Sequence, residues 1–188
     1  MRKKGIIFVV SAPAGTGKTT LVRMLQDEFP HIIESVSYTT RKPRAQEIPG
    51  KDYYFITHQE FVDKIANGEF LEYAKVFGNY YGTSRKFFED EQKIGNHIVF
   101  VIDTQGAKLL KDKIDAVFIF IRPPSMEVLK ERLLARKSES SEAISERLLW
   151  AEKEMKCIDA YDYEIVNDRL DHAYDVLRSI VIAETHRL

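Results

Sequence analysis

The sequence contains little cysteine, and its histidines are dispersed. Cys157 is the single cysteine, so an intrachain disulfide framework is excluded, as expected for a protein of a reducing compartment. It falls in a helical pattern and is predicted to be a small side chain of the core. The five histidines are scattered, and no cluster of His, Cys and carboxylate residues has zinc-site spacing. Disulfide scaffolds and structural zinc sites are therefore not expected.

Long hydrophobic runs and an excess of charge of one sign are also absent. Lys and Arg number 28 against 29 Asp and Glu, whereas general nucleic-acid and membrane binders usually have a basic excess. The longest early apolar run, Ile6 to Val10, is too short for a signal-peptide core or a membrane span. We therefore expect a cytoplasmic protein with no nucleic-acid, membrane or obligatory protein partner.

The sequence does contain a regular alternation of strand-like and helical patterns. Its 188 residues suffice for one domain with a substantial core. Four short apolar runs predict buried strands: Gly5–Ser11, His97–Ile102, Ala116–Ile121 and Tyr163–Val166. Helical patterns follow all four, the first of them with Leu21, Val22 and Leu25 on one face. This alternation predicts an α/β fold with one parallel sheet covered on both faces.

The stretch from residue 35 to residue 95 interrupts that alternation. It is rich in Tyr and Gly and carries short alternating strands around one helix, which begins at a capping box formed by Thr57 and Glu60. We interpret this stretch as an inserted subdomain. A second, polar stretch from Arg136 to Glu146 joins two helical patterns and is predicted to be a mobile flap.

A glycine-rich loop follows the first predicted strand and precedes the first helix. Its sequence, Ala12-Pro-Ala-Gly-Thr-Gly-Lys-Thr19, is a Walker A motif whose first glycine is replaced by alanine. Gly15 and Gly17 allow backbone N–H groups to point inward at phosphates, and Lys18 places an ammonium beside the β- and γ-phosphates. Thr19 can offer its hydroxyl to Mg²⁺, while the helix contributes its positive N-terminal dipole. The motif therefore predicts nucleoside triphosphate binding.

Three classes of P-loop protein fit this loop: a phosphotransferase, a GTPase and a binding module. Asp103-Thr-Gln-Gly106 fits the D-x-x-G pattern of a GTPase switch, but the sequence has no N-K-x-D run to read guanine. A phosphotransferase needs a second anion site, and Ser37–Arg44 contains two arginines three residues apart, each able to form paired hydrogen bonds with a phosphate. Two tyrosines in Phe77–Ser84 could add phenolic hydroxyls. Taken singly, these segments are better explained as a solvated basic loop and ordinary packing.

Together, the motifs resemble those of the guanylate kinases in order and spacing over nearly the whole chain. The matching segments are residues 12–19, 37–44, 50–53, 70–73, 78–84, 103–106, 123–125 and 165–168. The resemblance implies a P-loop three-layer α/β fold with a five-stranded parallel core sheet (1–34, 96–135 and 151–188), a GMP-binding subdomain (35–95) and a short lid (136–150), which close around both substrates. It also implies phosphoryl transfer from ATP, bound with Mg²⁺, to GMP, with dGMP as a further candidate acceptor, in purine nucleotide metabolism and GMP recycling.

The resemblance further implies the residues of both nucleotide sites. For ATP they are Ala12, Pro13, Ala14, Gly15, Thr16, Gly17, Lys18, Thr19, Thr20, Arg132, Arg136 and Asn167. For GMP they are Ser37, Arg41, Arg44, Tyr53, Glu72, Tyr81 and Thr83. The metal ion is expected at Thr19 and Asp103, and the residues expected to be catalytic are Lys18, Arg41, Arg136 and Arg147. Trp150 is expected either beside the nucleotide or in the core, and the core is the default prediction.

Glu72 is expected to select guanine by accepting hydrogen bonds from N1–H and the 2-amino group. Adenine offers neither donor, and an unmatched buried polar group costs about 1–3 kcal/mol. Guanylate kinases usually carry a further aspartate two positions before Asp103, and here that position is Val101. We therefore expect weaker GMP binding or looser base choice. The alternatives are a kinase for another phosphorylated acceptor and a catalytically silent interaction domain of the guanylate-kinase type.

Overall fold

A computed structural model describes residues 5–135 and 140–187. The polypeptide folds around two β-sheets. The strands, in chain order, are β1 (Ile7–Ser11), β2 (Ile32–Glu34), β3 (Tyr38–Thr39), β4 (Tyr54–Phe55), β5 (Phe70–Val76), β6 (Asn79–Ser84), β7 (His97–Val101), β8 (Val117–Arg122) and β9 (Tyr163–Val166). The helices are α1 (Lys18–Glu28), α2 (His58–Ala66), α3 (Arg85–Ile94), α4 (Thr104–Lys111), α5 (Met126–Ala135), α6 (Ser141–Met155) and α7 (Leu170–Thr185). A short 3₁₀ helix covers Ile158–Ala160.

The larger sheet is parallel throughout and has the strand order β2-β7-β1-β8-β9. Its central strand, β1, shows why the sequence is apolar without alternation: Phe8 and Val10 pack into one buried cluster, and Ile7 and Val9 pack into another on the opposite face. Helices α1 and α7 contribute side chains to the first cluster, and α4 contributes Leu110 to the second. The predicted parallel sheet with both faces covered is confirmed.

The smaller sheet is built from residues between β2 and β7 and has the order β4-β3-β6-β5. Strands β5 and β6 form an antiparallel hairpin whose turn is Phe77-Gly78, while β3 pairs in parallel with β4. Thr57 and Glu60 form the predicted capping box at the start of α2. The second sheet supports the interpretation of this stretch as an insertion, but the exact boundaries of core, subdomain and lid stay a prediction.

Several local predictions need correction. Sequence patterns did not reveal β2, which has only three residues, or α3, which has no fully buried side chain. Cys157 is exposed rather than part of the core, because α6 ends at Met155 and the cysteine lies beyond its last turn. Residues 141–146 of the predicted flap are the first residues of α6, and residues 136–139 lie outside the described ones.

Within the described residues, no helix combines the length and apolar composition needed to span a membrane.

Candidate functional site

The carboxyl ends of the parallel strands face the smaller sheet across a cavity of about 360 Å³. Open parallel sheets bind their ligands at this end of the strands. Most residues predicted for the two nucleotides line this cavity: Ala12, Pro13, Ala14, Gly15, Gly17, Lys18, Thr19, Thr20, Ser37, Arg41, Arg44, Tyr53, Glu72, Tyr81, Asp103 and Arg147. Side chains from separate parts of the sequence are thus brought together around one space.

Five predicted residues stand apart from this set. Thr16, Thr83, Arg132 and Asn167 are not among the residues that line the cavity, and Arg136 lies outside the described residues. Arg132 donates from Nη2 to the Asp168 carbonyl at 3.3 Å. The other three are buried and contact residues that line the cavity or the loop behind it.

The glycine-rich loop owes its shape to backbone conformations and neutral hydrogen bonds. Gly15 and Gly17 have φ angles of 97° and 92°, in the left-handed region that side chains disfavour. A Cβ atom at Gly17 would lie 2.6 Å from Nδ2 of Asn167. That Nδ2 donates to the Thr16 carbonyl at 2.6 Å, and the Thr16 hydroxyl donates to the Pro13 carbonyl at 2.8 Å. Thr16 and Asn167 therefore stabilise the loop through hydrogen bonds to its backbone carbonyls, away from the cavity.

Lys18 is the cation at the end of this loop. Its Nζ lies 3.4 Å from the carbonyl oxygens of Ala12 and Ile102. Burial lowers the pKa of Lys18, while the carboxylates of Glu154, Asp103 and Glu34 act in the opposite direction. The ammonium thus lies where a bound phosphate group would replace weak carbonyl contacts with a charged acceptor.

Glu154 is a cavity residue that the sequence analysis missed. Its side chain is only 5% exposed, and burial raises its pKa to about 7, with Lys18 opposing and Asp103 reinforcing the shift. The signal that could have revealed it is helical spacing: Ile144 and Ala151, which are buried, lie on the same face of α6 as Glu154. A carboxylate on an apolar helical stripe indicates a polar partner in the interior.

The two acceptor-side arginines are organised by Glu47, a second residue that was missed. The Glu47 carboxylate accepts two hydrogen bonds from the Arg41 guanidinium, at 2.8 and 2.9 Å, and a third from the Arg44 backbone N–H at 2.7 Å. Arg44 Nη1 also lies 3.8 Å from Glu47 Oε1. Burial would raise the pKa of Glu47, but the bonds from Arg41 and Arg44 hold it below its usual range.

Aromatic rings enclose the Arg41 guanidinium. Its Cζ lies 5.3 Å from the centre of the Tyr53 ring and 5.7 Å from that of Phe55. The Tyr53 ring also contacts Tyr81, with 6.0 Å between the ring centres. Burial raises the pKa of Tyr53 to about 12, so its hydroxyl stays protonated and can donate a hydrogen bond. Of these side chains, Arg41, Tyr53 and Tyr81 line the cavity and form a cationic, donor-rich surface suited to a phosphate monoester.

Glu72 is a buried carboxylate on β5 that also lines the cavity. Its Oε1 accepts a hydrogen bond of 2.5 Å from the Thr83 hydroxyl, so Thr83 contacts Glu72 rather than the cavity. Burial raises the pKa of Glu72 to about 7, with Thr83 opposing and Asp103 reinforcing the shift. A Cβ atom at Gly106 would come within 2.7 Å of Glu72 Oε2, so glycine at the last position of the D-x-x-G segment leaves room for this carboxylate.

Thr19 and Asp103, the two residues predicted to bind the metal ion, both line the cavity. Asp103 caps α4 by accepting from the Gly106 backbone N–H at 2.9 Å, and its Oδ2 accepts from Gln105 Nε2 at 3.1 Å. Among the described residues, no group of three or more His, Cys, Asp or Glu side chains could hold a metal ion. A hydroxyl and one carboxylate fit Mg²⁺ that takes its remaining oxygen ligands from phosphates and water.

Helix α6 contributes Arg147 and Trp150 to the cavity wall. The prediction that Trp150 lies in the core is wrong, since it is only half-buried and its ring contacts Phe77, with 5.5 Å between the ring centres. The Arg147 Cζ lies 5.4 Å from the centre of the same Phe77 ring. Residues 147, 150 and 154 share one helical face, which explains why all three reach the cavity.

Comparison with known proteins identifies the family. The family model described as guanylate kinase matches residues 4–184. Guanylate kinases of Protochlamydia amoebophila and Geobacter metallireducens are 59% and 47% identical to this chain, over 99% and 100% of it and 94% and 93% of their own lengths. A crystal structure of guanylate kinase from Anaplasma phagocytophilum is 39% identical and superimposes with a TM-score of 0.82, over 99% of this chain and 89% of that one. The chain belongs to the guanylate kinase family.

Proposed function

We propose that the cavity binds ATP at the glycine-rich loop and GMP at the smaller sheet, and that the named side chains transfer the γ-phosphoryl group from one to the other. ATP and GMP are the substrates of this family, and ADP and GDP are its products. The observation that carries the assignment of residues is the shared cavity. Lys18 lies on the side of the glycine-rich loop, which we call the donor wall, and Arg41, Arg44 and Glu72 lie on the side of the smaller sheet, which we call the acceptor wall.

On the donor side, the loop from Ala12 to Thr20 would surround the triphosphate with backbone N–H groups. Lys18 is proposed to bind the β- and γ-phosphates, and Arg147 to bind the transferring group. Thr19 and Asp103 would hold Mg²⁺, which when bound supplies further neutralisation of phosphate charge. Arg132, Asn167 and Arg136 remain proposed ATP-side residues, with Asn167 acting through its support of the loop.

On the acceptor side, Arg41, Arg44, Tyr53 and Tyr81 are proposed to bind the GMP phosphate. Glu72 would accept hydrogen bonds from guanine N1–H and the 2-amino group, while Thr83 orients its carboxylate. Ser37, which lines the cavity, would donate to guanine O6. The ionised form of Glu72 is the form that can accept both guanine hydrogen bonds.

The chemistry requires no strong general base. An oxygen of the GMP phosphate attacks the γ-phosphorus of ATP, a new O–P bond forms, and the bond from the γ-phosphorus to the bridging oxygen of ADP breaks. A phosphate monoester is already largely ionised near neutral pH, so the protein mainly has to align the two phosphates and offset their repulsion. Enclosure of both substrates between the two walls would exclude water as a competing acceptor. We propose the cytoplasm as the site of this reaction.

A coupled assay of ADP release tests the assignment. Wild-type protein with ATP and Mg²⁺ is expected to turn over GMP and dGMP far faster than IMP, AMP, CMP or UMP. A Lys18→Met variant, with the donor wall altered, measures the background rate. Turnover of AMP at a rate comparable with GMP would contradict the proposed role of Glu72, because adenine offers neither of the two donors. Absence of turnover with every acceptor, despite nucleotide binding, would contradict the proposed function.

A further inference from the structure

The turn between β5 and β6 contains an unusual residue. Phe77 and Gly78 are its two central positions, with φ angles of 47° and 79°. Two-residue hairpin turns with positive φ at both positions favour Asn-Gly or Asp-Gly, because a bulky side chain is disfavoured in the left-handed region. Among the described residues, Phe77 is the one non-glycine residue with positive φ. The hairpin therefore retains a phenylalanine where its backbone favours a smaller residue.

The Phe77 ring makes two contacts across the cavity. Its centre lies 5.5 Å from the Trp150 ring centre, at an interplanar angle of 55°, and 5.4 Å from Cζ of Arg147. All three residues line the cavity that holds Lys18 and Glu72. Phe77 belongs to the acceptor-side sheet, whereas Arg147 and Trp150 belong to α6, so the contact links the two sides of the site.

Backbone strain is retained at functional sites when the strained residue has a task there. An arginine side chain has many rotamers, and each unproductive one moves its guanidinium away from a transferring phosphate. A ring packed against the guanidinium restricts those rotamers without neutralising the charge. Trp150 packs against the same ring and so limits how far Phe77 can move.

We propose that Phe77, held in place by Trp150, is a positioning residue that orients Arg147 for phosphoryl transfer. The proposal rests on the proposed role of Arg147 in that reaction. Phe77 lies in a turn of the smaller sheet, which carries the proposed GMP site. The orientation of Arg147 would therefore depend on the position of that sheet. Loss of the ring is expected to lower kcat and to change the KM values for ATP and GMP little.

The Phe77→Asn variant tests the proposal, because asparagine suits the turn but lacks the ring. We expect kcat to fall by about 10- to 100-fold, the size of effect that misplacement of one reacting group produces. The melting temperature is expected to stay the same or to rise by about 2–4 °C as strain is relieved. A purely structural ring would give the opposite result, a lower melting temperature with unchanged kcat. The matched control is Tyr73→Asn, an exposed aromatic residue on β5 that does not line the cavity.

A double-mutant cycle with Arg147→Met decides whether Phe77 acts through Arg147. If it does, Phe77→Asn lowers kcat in the wild-type background but not in the Arg147→Met background. Equal losses in both backgrounds would overturn the proposal. Trp150→Phe, which keeps an aromatic ring, is expected to retain most of kcat, whereas Trp150→Ala should behave like Phe77→Asn.

The fluorescence of Trp150, the single tryptophan, gives a readout that does not depend on turnover. Loss of the Phe77 ring should shift its emission to longer wavelength in the unliganded protein, and an unchanged spectrum would contradict the contact. If wild-type protein shows no turnover, the proposed function fails whatever the spectrum shows. If wild-type protein turns over and Arg147→Met is slow while Phe77→Asn is not, only the positioning role fails.

Discussion

The two walls of the cavity are held in shape by different forces. The donor wall depends on glycine conformations and neutral hydrogen bonds, such as those of Thr16 and Asn167 beneath the loop. The acceptor wall depends on charged groups, namely the pairing of Arg41 with Glu47 and the buried carboxylate of Glu72. The donor loop is therefore fixed by backbone geometry, while the acceptor wall is sensitive to protonation and to the loss of a single charge.

This difference has a physical reason. A triphosphate can be surrounded by backbone N–H groups that every sequence supplies, provided that glycine allows the loop to close. A phosphate monoester and a purine base require side chains of particular charge, and those side chains need partners while the site is empty. Glu47 is such a partner for Arg41, through an ion pair, and Thr83 is one for Glu72, through a hydrogen bond.

The largest expected effect is on the donor wall. Replacement of Lys18 by Met should lower kcat by about 10²–10³-fold, because it removes a cation placed where charge develops during transfer. Lys108→Met, at an exposed position of α4, is the control. A kcat within about threefold of wild type, measured by ADP release, would contradict the placement of the phosphates at Lys18.

A smaller effect, confined to the acceptor wall, is expected for Glu47→Gln. Arg41 would lose its paired carboxylate, and the KM for GMP should rise about tenfold while the KM for ATP stays unchanged. Steady-state kinetics with each substrate varied in turn would measure both values. Glu69→Gln removes a more exposed carboxylate that pairs with Lys64 at 2.7 Å and should change neither KM. Equal changes in the two KM values for Glu47→Gln would show that the walls are not separable.

A dependence on pH is expected at Glu72, whose pKa is raised to about 7. Guanine binding requires the ionised carboxylate, so the KM for GMP should rise as pH falls through 7, by up to about tenfold per unit. Folding has the opposite dependence: the contribution of Glu72 to stability is fully present below pH 4.5, its unfolded value, and is lost as pH rises through 7.

Measurement of the GMP KM between about pH 5.5 and 8, in wild type and in Glu72→Gln, checks this assignment. The variant should lose the change centred near pH 7 and keep any change near pH 6, where a phosphate monoester titrates. Persistence of the change near pH 7 in Glu72→Gln would assign it to another group, for which Glu154 is the next candidate.

The smallest expected effect comes from Val101, which lines the cavity at the position where the resemblance to guanylate kinases leads us to expect an aspartate. Val101→Asp should lower the KM for GMP by about 2- to 10-fold, the worth of one additional hydrogen bond. Discrimination against AMP should increase with it. If both quantities are unchanged in the acceptor assay, Val101 does not weaken guanine recognition, and Glu72 is sufficient by itself.

Local sequence patterns predicted those elements whose conformation is set by residues close to one another in the chain. The continuous apolar run of β1, the glycines of the following loop and the capping box of α2 all signal their structure within a few residues. Glu47 and Glu154 carry no such signal, because charged residues are frequent in loops and on helices. Only the tertiary structure shows that the Glu47 carboxylate pairs with Arg41 and that the Glu154 carboxylate lies near enough to Lys18 for the two charges to interact.

The sequence by itself determined the parallel α/β core, the phosphate-binding loop and, through the combination of its motifs, the guanylate kinase family. Tertiary structure alone decided that Trp150 lines the cavity instead of the core, that Cys157 is exposed, and that the Phe77 ring lies against Arg147. The reason is physical: hydrophobic period and turn chemistry act over a few residues, whereas burial and charge pairing depend on which distant segments the fold brings into contact.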